Sequence, residues 1–151
     1  MATLPTTAQW GWWTTLLAWL TSNHETDGTH TGVRLLSTTV VSLAADADTT
    51  IYTVPTGKIL LPAYAFLVAG ADAGTSDISI GANGTETDFV GVTNLDNLNA
   101  ANDMVLIAPV PSATPATLKT YAAAVVIQAQ VANQAGGATN TLYFFGKIID
   151  A

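Results

Sequence analysis

The sequence predicts an all-β fold, a jelly-roll-like antiparallel β-sandwich of about eight strands preceded by an extended, partly helical N-terminal arm. Three observations predict it. From residue 33 onward, segments rich in Val, Ile, Thr, Tyr and Phe recur at intervals of roughly 8 to 15 residues, the spacing of a sandwich or barrel. Clusters of Gly, Asn, Asp and Pro separate them, and these residues supply turn geometry. No stretch between them carries the 3.6-residue apolar period of a helix.

The arm comes first. All four tryptophans, Trp10, Trp12, Trp13 and Trp19, lie in QWGWWTTLLAWL. A small domain places its largest rings in its own core, so rings set on an arm bury their area against another chain. Each ring removes roughly 150 to 250 Å² from water, several kcal/mol at about 25 cal/mol per Å² before ordering costs. Drawn as a helix, the segment places Trp12, Leu16, Trp19 and Leu20 on one face, with Trp13 and Leu17 beside them and little polar surface left. Trp10, Trp12, Trp13, Leu16, Leu17 and Trp19 are therefore the candidate partner contacts. Residues 10–20 are too few for a transmembrane helix, which needs about twenty. No basic residue precedes them, which argues against a signal peptide and against a helix drawn to anionic lipid.

Residues 23–32, NHETDGTHTG, form a linker of turn formers. The chain thus divides into an arm with its linker over 1–32 and a β-domain over 33–151. His24, Asp27, Gly28 and His30 are linker or hinge positions. Two imidazoles beside Glu25 and Asp27 are competent ligands for a transition metal, but no further ligand set accompanies them. Asp27-Gly28 suits a tight reversal, so the expectation is a structural turn without metal or cofactor.

Within the domain, VRLLSTTVVSL (33–43) and TTIYTV (49–54) read as strands separated by AADAD. KILLPAYAFLVAG (58–70) is a long apolar strand in which Pro62 removes one ladder donor and marks a bend or an edge. DISIG (77–81), DFVGVTNL (88–95) and DMVLIAPV (103–110) follow, each bounded by Gly, Asn or Asp. After a proline-rich turn come a short LKTY, the alternating AAVVIQAQVA (123–132), a QAGGATN turn and TLYFFGKII (141–149).

Composition narrows the function. Four Lys and Arg face eleven Asp and Glu, a formal charge of −7, so there is no basic footprint for nucleic acid. A chain this poor in charge does not secure solubility through its surface, which neighbours are expected to cover. Cysteine is absent, which removes disulfides, thiolate metal sites and cysteine nucleophiles. No nucleophile elbow, Walker loop or dinucleotide fingerprint occurs; GANG (81–84) leads into TETDF, which is no helix start. Asp72, Asp77, Glu86, Asp88, Asp96 and Asp103 sit at strand ends, where paired carboxylates or Ca²⁺ ligands are conceivable but turn chemistry is ordinary. The chain is not expected to be an enzyme.

Two stretches resemble tailed-bacteriophage virion proteins. HETDGTHTGVRLL is similar to the DGTH-type linkers of phage fibre and appendage proteins. IYTVPTGKILLPAYAFLVAG, with SDISIGANGTETDFVG after it, resembles the β-domains of phage head and tail accessory proteins. The resemblance implies a β-sandwich that forms a homotrimer, an arm anchoring it to the particle, and no enzymatic activity. It implies a protein made in the host cytoplasm and carried in the virion, on the capsid surface, with the major capsid protein or another virion protein as partner. No membrane partner is expected. The expected role is capsid decoration, cement or head fibre; the alternatives are a tail fibre, receptor-binding or carbohydrate-binding module, and a metal-dependent hydrolase centred on His24 and His30.

Overall fold

The computed structural model describes residues 32–109, 119–133 and 139–151. Expectations placed on the arm, its partly helical character, and on His24, Asp27, Gly28 and His30 fall outside the described residues.

Eight strands are described and, among the described residues, no helix: β1 (Arg34–Ser42), β2 (Ala47–Thr53), β3 (Lys58–Val68), β4 (Asp77–Ala82), β5 (Thr85–Asn94), β6 (Met104–Ile107), β7 (Val126–Ala132) and β8 (Thr139–Asp150). They form two four-stranded sheets, ordered β1-β8-β3-β6 and β2-β7-β4-β5, with every pairing antiparallel. The pairs β1·β8, β2·β7, β3·β6 and β4·β5 nest within one another. That nesting is the wrapped hairpin of a jelly roll. The expected β-sandwich is the observed fold.

The core lies between the sheets, and the period of two builds it. Along β8, Asn140, Leu142, Phe144 and Ile148 point inward and are buried, while Thr141, Tyr143, Phe145, Lys147 and Ile149 face outward and are half-buried. Ile78, Ile80, Ile127, Ala129 and Val131 answer from the second sheet. Phe144 is fully buried, its ring 6.3 Å from Tyr52 and 6.2 Å from Phe89, so it couples both layers.

One element differs from expectation. Strand β5 begins at Thr85, not Asp88, because Asn83 and Gly84 make a two-residue turn in which Ala82 pairs with Thr85 and Gly84 has φ of 85°. Pro62 marks the expected bend, inside a strand, β3, that is paired on both sides further along. Leu60 exchanges both backbone hydrogen bonds with Tyr121, at 2.8 and 3.0 Å, so Pro62 two residues on also turns away from β8. There β6 pairs only with Ala65 to Val68, and the missing donor meets no strand among the described residues. The bend is real: the register with β8 shifts between Pro62 and Tyr64.

Candidate docking face

The two sheets present opposite chemistry outward. On β2-β7-β4-β5 the outer face is polar: Asp48 pairs with Gln130, Thr50 with Gln128 and Asp77 with Asn94. Two of these pairs bond to each other, Gln130 Nε2 donating to Asp48 Oδ1 at 3.2 Å and Asn94 Nδ2 to Asp77 Oδ1 at 3.2 Å. Water suits such a face.

On β1-β8-β3-β6 the register aligns three cross-strand rows. Val40, Thr141, Val68 and Met104 form the first; Thr38, Tyr143, Phe66 and Leu106 the second; Leu35, Phe145 and Tyr64 the third. None of these residues is charged, and the first charge on this face, Lys147, stands one row beyond Phe145. The rings form a cluster: Tyr64 stacks on Phe145 at 4.9 Å, and Phe66 meets both edge-on at 5.5 and 5.8 Å. At the sheet edges the side chains are open, Val40 60% and Leu35 46% exposed on β1, Met104 61% and Leu106 56% on β6. Among the described residues, the second sheet has one large apolar residue so exposed, Val92. Four strands about 4.8 Å apart and three rows give a face about 14 Å on each side between backbone positions. With its side chains that is a few hundred Å², the patch size that on a soluble protein marks an interaction site.

Its sequence signal is the runs KILLPAYAFLV and TLYFFGKII, where residues of both parities are apolar, as in strands covered on both faces. The alternating VIQAQVA of β7 is the contrast.

The strand-end acids serve the fold. Asp72 Oδ1 accepts from the Gly74 N–H at 2.8 Å, Glu86 Oε1 from that of Gly84 at 2.5 Å, and Asp103 Oδ2 from those of Asn99 and Ala100 at 3.0 and 2.9 Å. Asp77 takes the side-chain amides of Asn94 and Asn133. The Asp96 N–H donates to Asn94 Oδ1 at 2.8 Å. Among the described residues no three His, Asp or Glu stand together as metal ligands.

Asp88 makes the largest polar cluster. Its Oδ1 accepts from the Tyr121 hydroxyl and from the Ala82 N–H at 3.1 Å, and its Oδ2 lies 2.8 Å from Lys119 Nζ. Burial raises the Asp88 carboxyl, but the hydrogen bonds from Lys119, Tyr121 and Ala82 outweigh it and hold the group below its ordinary value. Burial, then donation to Asp88, pushes the Tyr121 hydroxyl far up, so it stays protonated. Because the Tyr121 backbone pairs with Leu60, the cluster ties the hairpin of β4 and β5 to the opposite sheet. Gly81 makes room for it: a Cβ there would lie 2.6 Å from Asp88 Oδ1 and 2.3 Å from the Thr85 carbonyl oxygen. Sequence reading placed Asp88 at a strand end without its partner, since 33 residues separate it from Tyr121.

Compared with protein-family models and with curated protein sequences, the chain matches none. Among solved structures it is similar to a chain of the acidic stable capsid structure of Helicobacter pylori bacteriophage KHP30, with 15% identity over 80% of this chain and 97% of that one and a TM-score of 0.44. It is also similar to a chain of the cyanophage Pam1 capsid asymmetric unit, with 16% identity over 76% of this chain and 84% of that one and a TM-score of 0.45. At this identity and TM-score neither neighbour assigns this chain a role, and the functional reading rests on its own residues.

Proposed function

We propose that this chain is a structural protein of a phage virion, a capsid decoration, cement or head-fibre protein that binds the outside of the assembled shell and stabilises it. The observation that carries the reading is the uncharged aromatic face of the β1-β8-β3-β6 sheet, opposite a polar, self-bonded face on the other sheet. A one-sided sandwich of this kind belongs in an assembly. The tryptophan arm adds a second contact surface, and the resemblance of the linker and strand segments to phage accessory proteins supplies the setting. Stabilisation is by mass action: a ligand selective for the assembled lattice contributes about 2.7 kcal/mol per site at a free concentration one hundred times its Kd. Arms that cross subunit boundaries add avidity. The reading assigns the chain no reaction.

The aromatic cluster favours one rival, a carbohydrate-binding module of the tail, because sugars stack on rings. Against it, Tyr64 and Phe145 stack on each other, and the three rows hold no carboxylate, amide or basic group to hydrogen-bond sugar hydroxyls, only the hydroxyls of Thr38, Thr141, Tyr64 and Tyr143. The test is co-sedimentation with shells lacking this protein. The full chain is expected to pellet with shells, and the chain without residues 1–22 to stay in the supernatant while keeping its β circular dichroism. Failure of the full chain to pellet, with binding to host-surface glycans, would favour the rival.

A further inference from the structure

We infer that the three-row face of the β1-β8-β3-β6 sheet is the seat of the tryptophan arm, residues 10–20, of a second copy of this chain. The inference deepens the assembly reading by naming what the arm binds, and it rests on that reading's premise that the arm seeks another chain.

Area selects an arm over a whole domain. A stable domain-to-domain contact buries about 800 Å² on each partner. The face offers about half of that, whereas two or three tryptophan rings at roughly 150 to 250 Å² each would cover it. Charge agrees: residues 1–22 contain no Asp, Glu, Lys or Arg, and the three rows contain none, so docking strips water from no ion on either side. The openness of Val40 and Leu106 on opposite sheet edges places the occupant across all four strands.

The linker is long enough for a second copy, which the premise that the arm seeks another chain selects. The linker, residues 23–32, spans up to about 35 Å at roughly 3.5 Å per residue. That is about the breadth of a compact unit of this size, whose radius of gyration is about 14 Å. A linker of that length is enough for the arm to span to a second copy. Exchange between copies closes by rotation, each copy giving one arm and receiving one.

The chain carries its own reporter, because every tryptophan lies in the arm and the β-domain has none. Tryptophan emission of the full-length protein is expected to be blue-shifted from its denatured value, and to move to the red when Val40 and Leu106 are both replaced by Lys. Both positions are more than half exposed, so the domain is expected to keep its β circular dichroism. The decisive step is mixing. Full-length Val40→Lys/Leu106→Lys protein, with its arm intact, is combined with a full-length chain whose four tryptophans are replaced by serine, which is silent in emission and keeps its face. Return of the blue shift is the expected result. A red emission that the silent partner does not correct overturns the proposal, and so does a wild-type blue shift unaffected by dilution to nanomolar or by the two lysines. A lysine variant that loses its β signal is replaced by Val40→Thr/Leu106→Thr, for which the same outcomes apply. No shell is present, so failure here leaves the co-sedimentation result standing, and the converse holds.

Discussion

Asp88 is where single-residue chemistry matters most. Tyr121 is buried to 3% exposure and its hydroxyl donates to that carboxylate, which also accepts the Ala82 N–H. Asp88→Ala leaves both donors without their partner, at a cost of about 1–3 kcal/mol. The expected fall in Tm, read by circular dichroism, is roughly 4–12 °C. The pH dependence has a definite sign. Because the folded carboxyl lies below its ordinary value of 3.8, its contribution is complete above that value and is lost as pH falls through the folded value. The Tm difference between wild type and Asp88→Asn is therefore expected to be constant from neutral pH to about 5 and to shrink below about 4. A difference that grows on acidification would contradict the pairing. The same position shows what local reading misses: turn chemistry at strand ends is visible in sequence, and Asp72, Glu86 and Asp103 obey it, but a partner across the sandwich is not.

At the scale of the element, the two faces of one sheet should respond differently to substitution. Phe144→Ala removes a fully buried ring that touches Tyr52 and Phe89 and is expected to cost about 3–5 kcal/mol, measured by urea unfolding. Leu106→Lys, on the outer face and 56% exposed, is expected to change unfolding of the isolated domain by within about 0.5 kcal/mol. Equal losses at the two sites would mean that the outer face is part of the core. The eight strands were legible because β-branched runs and turn clusters are local signals. Their order was not, since a period of two says which residues share a face but not which strands are neighbours. The Asn83-Gly84 turn was a legible hairpin signal that set the start of β5. Pro62 announces its bend in the sequence, but only the placement of Tyr121 and β6 shows why a central strand tolerates it. The docking face was half legible: KILLPAYAFLV and TLYFFGKII announce two apolar sides, but the rows exist only once β1, β8, β3 and β6 are aligned.

For the whole molecule, low charge, an uncharged tryptophan arm and an uncharged aromatic face are the basis for the proposal that it works in multiple copies. Arms exchanged around a rotation axis predict a closed homo-oligomer, and the resemblance to phage accessory proteins implies three copies. Sedimentation equilibrium of the full-length protein is expected to return three times the chain mass of 15.6 kDa. A single species of one chain mass at micromolar concentration would contradict both the trimer and the exchange of arms. The two histidines of the linker are expected to be structural, so elemental analysis should find no stoichiometric zinc, nickel or iron, and chelation should leave Tm unchanged. One metal per three chains would instead make the linker a clamped junction on the trimer axis.

The central claim is placement on a phage shell, and a three-dimensional reconstruction of the native particle tests it most directly. The predicted result is density on the outer surface of the capsid, in clusters of three, that accepts the eight-stranded sandwich with its β1-β8-β3-β6 face turned toward neighbouring protein and its polar face toward solvent. Density of this shape on the tail or baseplate, or a sandwich whose aromatic face looks into solvent, would contradict it.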